Sequence, residues 1–330
     1  MFGKDWSAAM KLAVIGTGNW GKNIVRTLDG LGVLAAAADQ AAEWRAAIKK
    51  EYPQVEVYSD YQPILESDIT AVAIATPAPS HYRIAAEAIR AGKDVFVEKP
   101  MTLSAAEAEE LAQLAVKEGK ILMVGHLLLY QPAIQWLKKE LDSEIIGEIG
   151  SLHQERLGLG RARESESVLW DLGVHDLAVL LYLSGRELLE SKVCGQRRLR
   201  SGIEDDIYLH LSFTGNLQAH LHTSWIWPER RRRLTITGAK GMLVYDELEQ
   251  TVTLHRKGIK LSDLTNWDQG AEVVFKGDGA PLTLELEHFI DCVRNRRTPI
   301  SDGFSGAAVV RLLEELSRQL REEGSPLIRN

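Results

Sequence analysis

The chain has 330 residues, 45% of them apolar and 26% charged, and 39 basic against 46 acidic side chains give a formal net charge of −7. That length can hold two cores, the composition is that of an ordinary soluble globular protein, and the acidic balance argues against a broad nucleic-acid surface. Only two cysteines occur, Cys194 and Cys292, in no C-x-x-C pair, which argues against disulfide or zinc scaffolds and for a reducing cytoplasm. No run is apolar enough for a signal peptide or a bilayer span, and residues 1–9 read as a disordered leader.

A short apolar run at 11–15 predicts a buried parallel strand, followed by Gly16-x-Gly18-x-x-Gly21 and a polar, helical segment. A second apolar run ends in Asp39, and the Ala-rich stretch 41–50 predicts a helix stopped by Pro53. Further strands are expected at 55–58, at 69–76 before Pro77, at 94–98 and at 121–126. The helices between them are expected at 61–66, at 81–91 and at 105–118, the last capped by Ser104 with Glu107 placed for a capping box. This alternation predicts a doubly wound parallel sheet of the Rossmann kind over residues 1–126.

From about residue 149 the pattern changes to β-branched runs with few helices between them, at 149–156, 191–199, 207–213, 218–225, 233–237, 242–246 and 251–255. Residues 127–330 therefore read as an α+β domain with a large open, mostly antiparallel sheet. One helix is expected at 174–183, and two amphipathic ones at 282–294 and 305–321, which should return toward the first domain.

The glycine spacing suits a dinucleotide. Gly16 permits the tight turn leaving the strand, Gly18 lets the backbone approach a pyrophosphate, and Gly21 lets the next helix pack closely. Asp39 stands 18 residues after Gly21, close to the spacing of an acid that holds the adenosine ribose. An acid there repels a 2′-phosphate, so NAD is favoured over NADP.

Three pieces stand in order: Gly16-Thr17-Gly18-Asn19-Trp20-Gly21, Glu98-Lys99-Pro100, and Asp171-x-Gly173-x-His175. With Thr76-Pro77, His81 and the late segment 286–294, they make the chain resemble the Gfo/Idh/MocA oxidoreductases along nearly its whole length. The resemblance implies cofactor contacts from Gly16 to Gly21, Asp39, Thr76, Pro77, His81, Glu98 and Lys99. It also implies a catalytic trio of Lys99, Asp171 and His175. Lys99 would stabilise the oxygen of a carbinol as it loses its proton, and His175 is the natural acceptor of that proton, with Asp171 its helper or substitute. Read alone, Lys99-Pro100 is equally a strand-ending turn, and Asp171 with His175 an ordinary capping or core pair.

The segments around Tyr130, Arg156 to Arg163 and Trp170 are similar to a branch of that family that oxidises UDP-N-acetylglucosamine at C3 to a 3-keto sugar. In that branch Ser or Asn usually stands in place of Asp171. Arg156, Arg161 and Arg163 could hold a diphosphate and Trp170 could stack on a ring, though the same loop reads as solvated arginines beside a core tryptophan. Tyr130 could meet a sugar hydroxyl or sit in the core. The resemblance thus implies a cytoplasmic, NAD-dependent dehydrogenase of a UDP-sugar, working as a homodimer or homotetramer through the open sheet. A dehydrogenase of a free sugar, sugar acid or cyclitol is the rival enzyme, and a non-catalytic dinucleotide-binding regulator is the rival of another class. His220 and His222 share a strand face without a readable third ligand, so no metal is expected. The run Arg230 to Arg233 reads as a solvated edge, an intersubunit salt-bridge strip or a phosphate contact from a neighbouring subunit rather than a nucleic-acid contact, and no membrane contact is expected of the chain.

Overall fold

The computed structural model describes residues 10–160, 162–260 and 262–322; the expected leader and Arg161 lie outside them. The chain divides into two compact units. One takes the described residues up to Leu127 together with Ala280–Arg311, and the other takes Leu128–Gly279 together with the described residues from Leu312.

The first unit alternates β1 (Leu12–Ile15), α1 (Gly21–Gly30), β2 (Leu34–Ala38), α2 (Ala42–Glu51), β3 (Glu56–Tyr58), α3 (Gln62–Glu66), β4 (Ala71–Ile74), α4 (His81–Arg90), β5 (Asp94–Glu98), α5 (Ala105–Lys117) and β6 (Leu122–Gly125). Six parallel strands run in the order β3-β2-β1-β4-β5-β6. The order reverses between β1 and β4, which opens a crevice at their carboxyl ends. Every residue of β1, β4, β5 and β6 is buried, as a sheet covered on both faces requires. Ser104 does stand at the N-terminus of α5, but its side chain makes no capping bond, so the expected capping box does not form.

The second unit begins with α6 (Pro132–Asp142), which the sequence reading passed over, and continues with β7 (Ile149–Leu159), a wide helical turn Leu169–Gly173 and α7 (Val174–Ser184). Then come β8 (Leu188–Gln196), β9 (Asp206–Phe213), β10 (Gln218–Ser224), β11 (Ile226–Gly238), β12 (Gly241–Asp246), β13 (Thr251–Ile259) and β14 (Asn266–Lys276). The eight strands pair in the order β14-β13-β12-β11-β7-β10-β9-β8, antiparallel except for β7 with β10. β14 was not anticipated, and β11 starts earlier than expected. Arg230 to Arg233 lie inside β11, not before it. Its ladder with β7 is irregular between Ile226 and Arg231, where Pro228 has no N–H to give. Two late helices follow, α8 (Pro281–Asn295) in the first unit and α9 (Gly303–Glu322), whose residues from Leu312 are counted with the second. No helix among the described residues is long and apolar enough to cross a membrane.

Candidate active site

In the first unit, the turn after β1 is shaped for close approach. Gly16 has φ +88°, a left-handed conformation, and a Cβ on Gly21 would fall 1.9 Å from the Gly16 carbonyl oxygen. A Cβ on Gly18 would have no neighbour nearer than 3.9 Å, so its backbone faces open space. That space is a cleft of about 700 Å³ lined in part by Gly16, Gly18, Asn19, Asp39, Thr76 and Pro77. A backbone cradle at a helix N-terminus beside an acid is what a dinucleotide needs, so these residues fit NAD. Trp44 and Arg83 also line the cleft and were missed by the sequence reading. We expect Gly21→Ala to lower the thermal midpoint and weaken NADH binding at least about tenfold, because the added methyl overlaps backbone that cannot yield; wild-type NADH titration curves would refute it.

Asp39 is tied locally. Its carboxyl accepts from the Thr17 N–H (2.7 Å), the Thr17 hydroxyl (3.1 Å) and the Ala41 N–H (2.9 Å), which fixes it at the cleft wall. His81 is buried, with Nδ1 2.8 Å from the Pro100 carbonyl oxygen and Nε2 2.7 Å from that of Thr76. A neutral ring donates to one of these and a protonated ring to both. Burial depresses its basicity, while the two carbonyls pull the other way. His81 therefore joins the Thr76 turn to the segment after Lys99 and does not face the cleft itself.

Glu98 ends β5, and Lys99 follows at the strand's carboxyl end before a cis Pro100. One Glu98 oxygen accepts from the Trp20 indole N–H of the glycine-rich turn, and the other accepts from the Lys99 backbone N–H at 3.2 Å. Burial pushes the Glu98 carboxyl up to about 7, with Trp20 and Lys99 opposing the shift. Two further buried groups lie nearby, neither found from sequence. Burial, and then the Lys99 charge, push His126 down to about 4, and burial, then Glu98, hold Glu285 on α8 well above the usual carboxylate range. Glu285 did carry a signal: it is an acid on the otherwise apolar face formed by Leu286, Phe289 and Ile290.

In the second unit, Asp171 lies in the wide turn just before α7 and His175 in the first turn of α7. Asp171 is buried, and its two oxygens accept from Arg163 Nε and from the Trp225 indole N–H, each at 3.1 Å. Trp225 had no sequence signal, because it simply follows a strand. His175 is half-buried. Tyr130 is 4% exposed, a core position. Trp170 is half-buried and donates to the Ser317 hydroxyl at 2.9 Å.

Arg156 requires a correction. Expected as a diphosphate ligand or a solvated arginine, it is neither: it is 5% exposed, with Nε 2.7 and 2.9 Å from the Asp176 carboxylate oxygens and a terminal nitrogen 2.8 Å from Glu247. Burial opposes its charge, but the carboxylates of Asp176 and Glu247 outweigh that and hold its pKa above the ordinary value. Its donors are consumed by α7 and the turn after β12. Arg163 is exposed but is engaged with Asp171. His222 packs against Tyr208 at 3.9 Å and meets Asp206 at 3.1 Å, while His220 meets His210 at 3.3 Å.

Comparison with known proteins bears on these geometries. Residues 10–126 match the model of an oxidoreductase family with an NAD-binding Rossmann fold, and residues 134–244 match the Gfo/Idh/MocA C-terminal domain. A UDP-N-acetylglucosamine 3-dehydrogenase from Acidithiobacillus ferrooxidans is 27% identical over 91% of this chain and 94% of its own. The solved structure of that enzyme superposes with a TM-score of 0.85, covering 95% of this chain and 98% of its own at 26% identity. A scyllo-inositol 2-dehydrogenase from Bacillus subtilis is 27% identical over 88% of each chain. With both family models matched in sequence and a parallel dinucleotide sheet followed by a large mixed one, the chain belongs to the Gfo/Idh/MocA family of NAD-dependent oxidoreductases.

Proposed function

We propose that the protein oxidises a secondary hydroxyl of a nucleotide-linked sugar, with C3 of UDP-N-acetylglucosamine as the reacting position and a 3-keto sugar as product. The observation that carries this reading is the end-to-end likeness, in sequence and structure, to the Acidithiobacillus enzyme. NAD, when bound, supplies the hydride acceptor. His175 takes the hydroxyl proton. Asp171, with its charge matched by Arg163 and its second oxygen held by Trp225, supports the developing imidazolium or serves in its place. Lys99 steadies the oxygen that loses the proton and lowers the hydroxyl's pKa. With Arg156 consumed by Asp176 and Glu247, Arg163 is the described arginine of the expected diphosphate set that stays exposed. The reading includes a cytoplasmic location, in keeping with two unpaired cysteines, and a second copy of the chain over the open sheet, where Tyr208 is 46% exposed.

A second reading, oxidation of a cyclitol, is favoured by the Bacillus relative, which matches over nearly as much of the chain. The two separate in one experiment. NAD reduction is followed with UDP-N-acetylglucosamine and with scyllo-inositol, and UDP is titrated into the NADH complex by calorimetry. We expect turnover with the nucleotide sugar and measurable UDP binding. Faster turnover of the inositol with no heat from UDP would hand the site to the cyclitol.

A further inference from the structure

Glu285 has no part in the chemistry above, yet its surroundings are unusual. It is fully buried on α8, and neither carboxyl oxygen meets a hydrogen-bond partner within the described residues. An ionised carboxylate is not tolerated in such a place, so the side chain carries its proton.

Register sets it beside Glu98. Phe289, one helical turn after Glu285, packs its ring on that of Phe96 with centroids 5.9 Å apart, and Glu98 lies two residues after Phe96 on the same face of β5. Gly125 is the ladder partner of Glu98, and a Cβ there would lie 3.1 Å from both Glu98 Oε2 and the Phe96 ring. The missing side chain makes room for the carboxyl. The titratable groups around Glu98 are therefore Lys99 on its own chain segment, Glu285 from α8, and His126 next to Gly125, which burial keeps neutral.

We propose that Glu285 is a positioning residue of the cofactor site, a buried proton-carrying acid that lets the neighbouring Glu98 carboxylate hold the glycine-rich turn, through Trp20, and the Lys99 backbone at the same time. The inference rests on the reading that Glu98 and Lys99 serve the NAD site. Two carboxyls packed together share one negative charge, and here the proton resides on Glu285 and the charge on Glu98. When Glu98 itself gains a proton, one of its oxygens becomes a donor and either Trp20 or the Lys99 N–H loses its acceptor. NADH affinity should then fall as pH drops through the region near 7 where Glu98 titrates.

The test follows NADH binding by fluorescence, and thermal unfolding of the cofactor-free protein, across pH 5 to 9 in four proteins: wild type, Glu98→Gln, Glu285→Gln and Glu285→Met. Glu98→Gln should abolish the pH dependence of binding. It should also make unfolding less steeply pH-dependent between the ordinary carboxyl value near 4.5 and about 7, where the wild type loses stability as pH rises because Glu98 and Glu285 both hold protons that the unfolded chain has lost, and only the Glu285 share then remains. Glu285→Gln offers amide donors to the Glu98 carboxylate, which the acid itself does not bond, and should move the binding midpoint down by at least about half a pH unit, whereas Glu285→Met replaces the neutral acid's dipole with an apolar group and should move it up. Opposite shifts from two side chains of similar volume are not what a packing role yields. The proposal is overturned if both variants keep the wild-type midpoint, if both fail to fold, or if Glu98→Gln retains the dependence. Failure of the catalytic reading looks different, namely unchanged turnover in Lys99→Ala with these binding curves intact.

Discussion

Lys99→Ala should lower turnover by about 10²- to 10³-fold, the usual cost of removing one group that stabilises a developing oxyanion, while NADH still binds with near wild-type affinity. The asymmetry follows from how Lys99 is held. Its backbone N–H is anchored on Glu98, and it stands at the carboxyl end of β5, the end at which open parallel sheets present their ligands. Removing the ammonium leaves that anchor, the glycine-rich turn and Asp39 in place, so the cofactor's larger contacts persist. In the proposed reaction, the oxygen that sheds a proton then has no cation beside it, and the loss falls on kcat rather than on cofactor affinity. Lys99→Arg should recover only part of the rate, since a planar guanidinium cannot reproduce a compact point charge. Stopped-flow reduction of NAD paired with a fluorescence titration of NADH separates the two effects. Equal rates in wild type and Lys99→Ala would remove the lysine from the chemistry.

The first unit was easy to read because its signals are local. Fully buried parallel strands leave continuous apolar runs, and turns that need φ > 0 or close backbone approach leave glycines at fixed spacing, as at Gly16 and Gly21. The eight-stranded sheet was legible as a class but not in its ends. β14, with most of its residues exposed, lacks the alternation that marks a half-buried strand, and β11 carries Pro228 and four arginines through its first half. α6 did have a helical stripe, Ala133, Ile134, Leu137 and Leu141, behind Pro132 at its start; the apolar run before it masked the boundary.

Site chemistry divides the same way. Lys99, Asp171 and His175 were nameable because short motifs carry them. How they are held was not, because the decisive pairings are remote in sequence: Trp225 lies 54 residues from Asp171, and Trp20 lies 78 residues from Glu98. Arg156 shows the cost of reading charge without burial. Three arginines within eight positions looked like an anion site, but strand periodicity turns Arg156 toward Asp176 and Glu247, and the helix that carries Asp176 also carries His175.

That placement gives a large stability effect. Asp176→Ala should cost about 3–5 kcal/mol, because it strands a buried guanidinium whose Nε loses both of its acceptors. Glu247 cannot compensate alone: it holds only the far end of the group, and Arg232 lies close enough to add a repulsive charge. Removing both partners of the pair is a different matter. Arg156→Met combined with Asp176→Leu exchanges a desolvated ion pair for apolar volume and should recover most of the loss, so a double-mutant cycle read by urea denaturation should show strong coupling. The same variants settle what the arginine is for. If Arg156 served a diphosphate, Arg156→Met would weaken UDP binding far more than it weakens the fold. The buried pairing requires the reverse, with the unfolding midpoint falling sharply and the double variant binding UDP as the wild type does. A cost below about 1 kcal/mol for Asp176→Ala, the level of an exposed pair, would mean that water reaches the guanidinium after all.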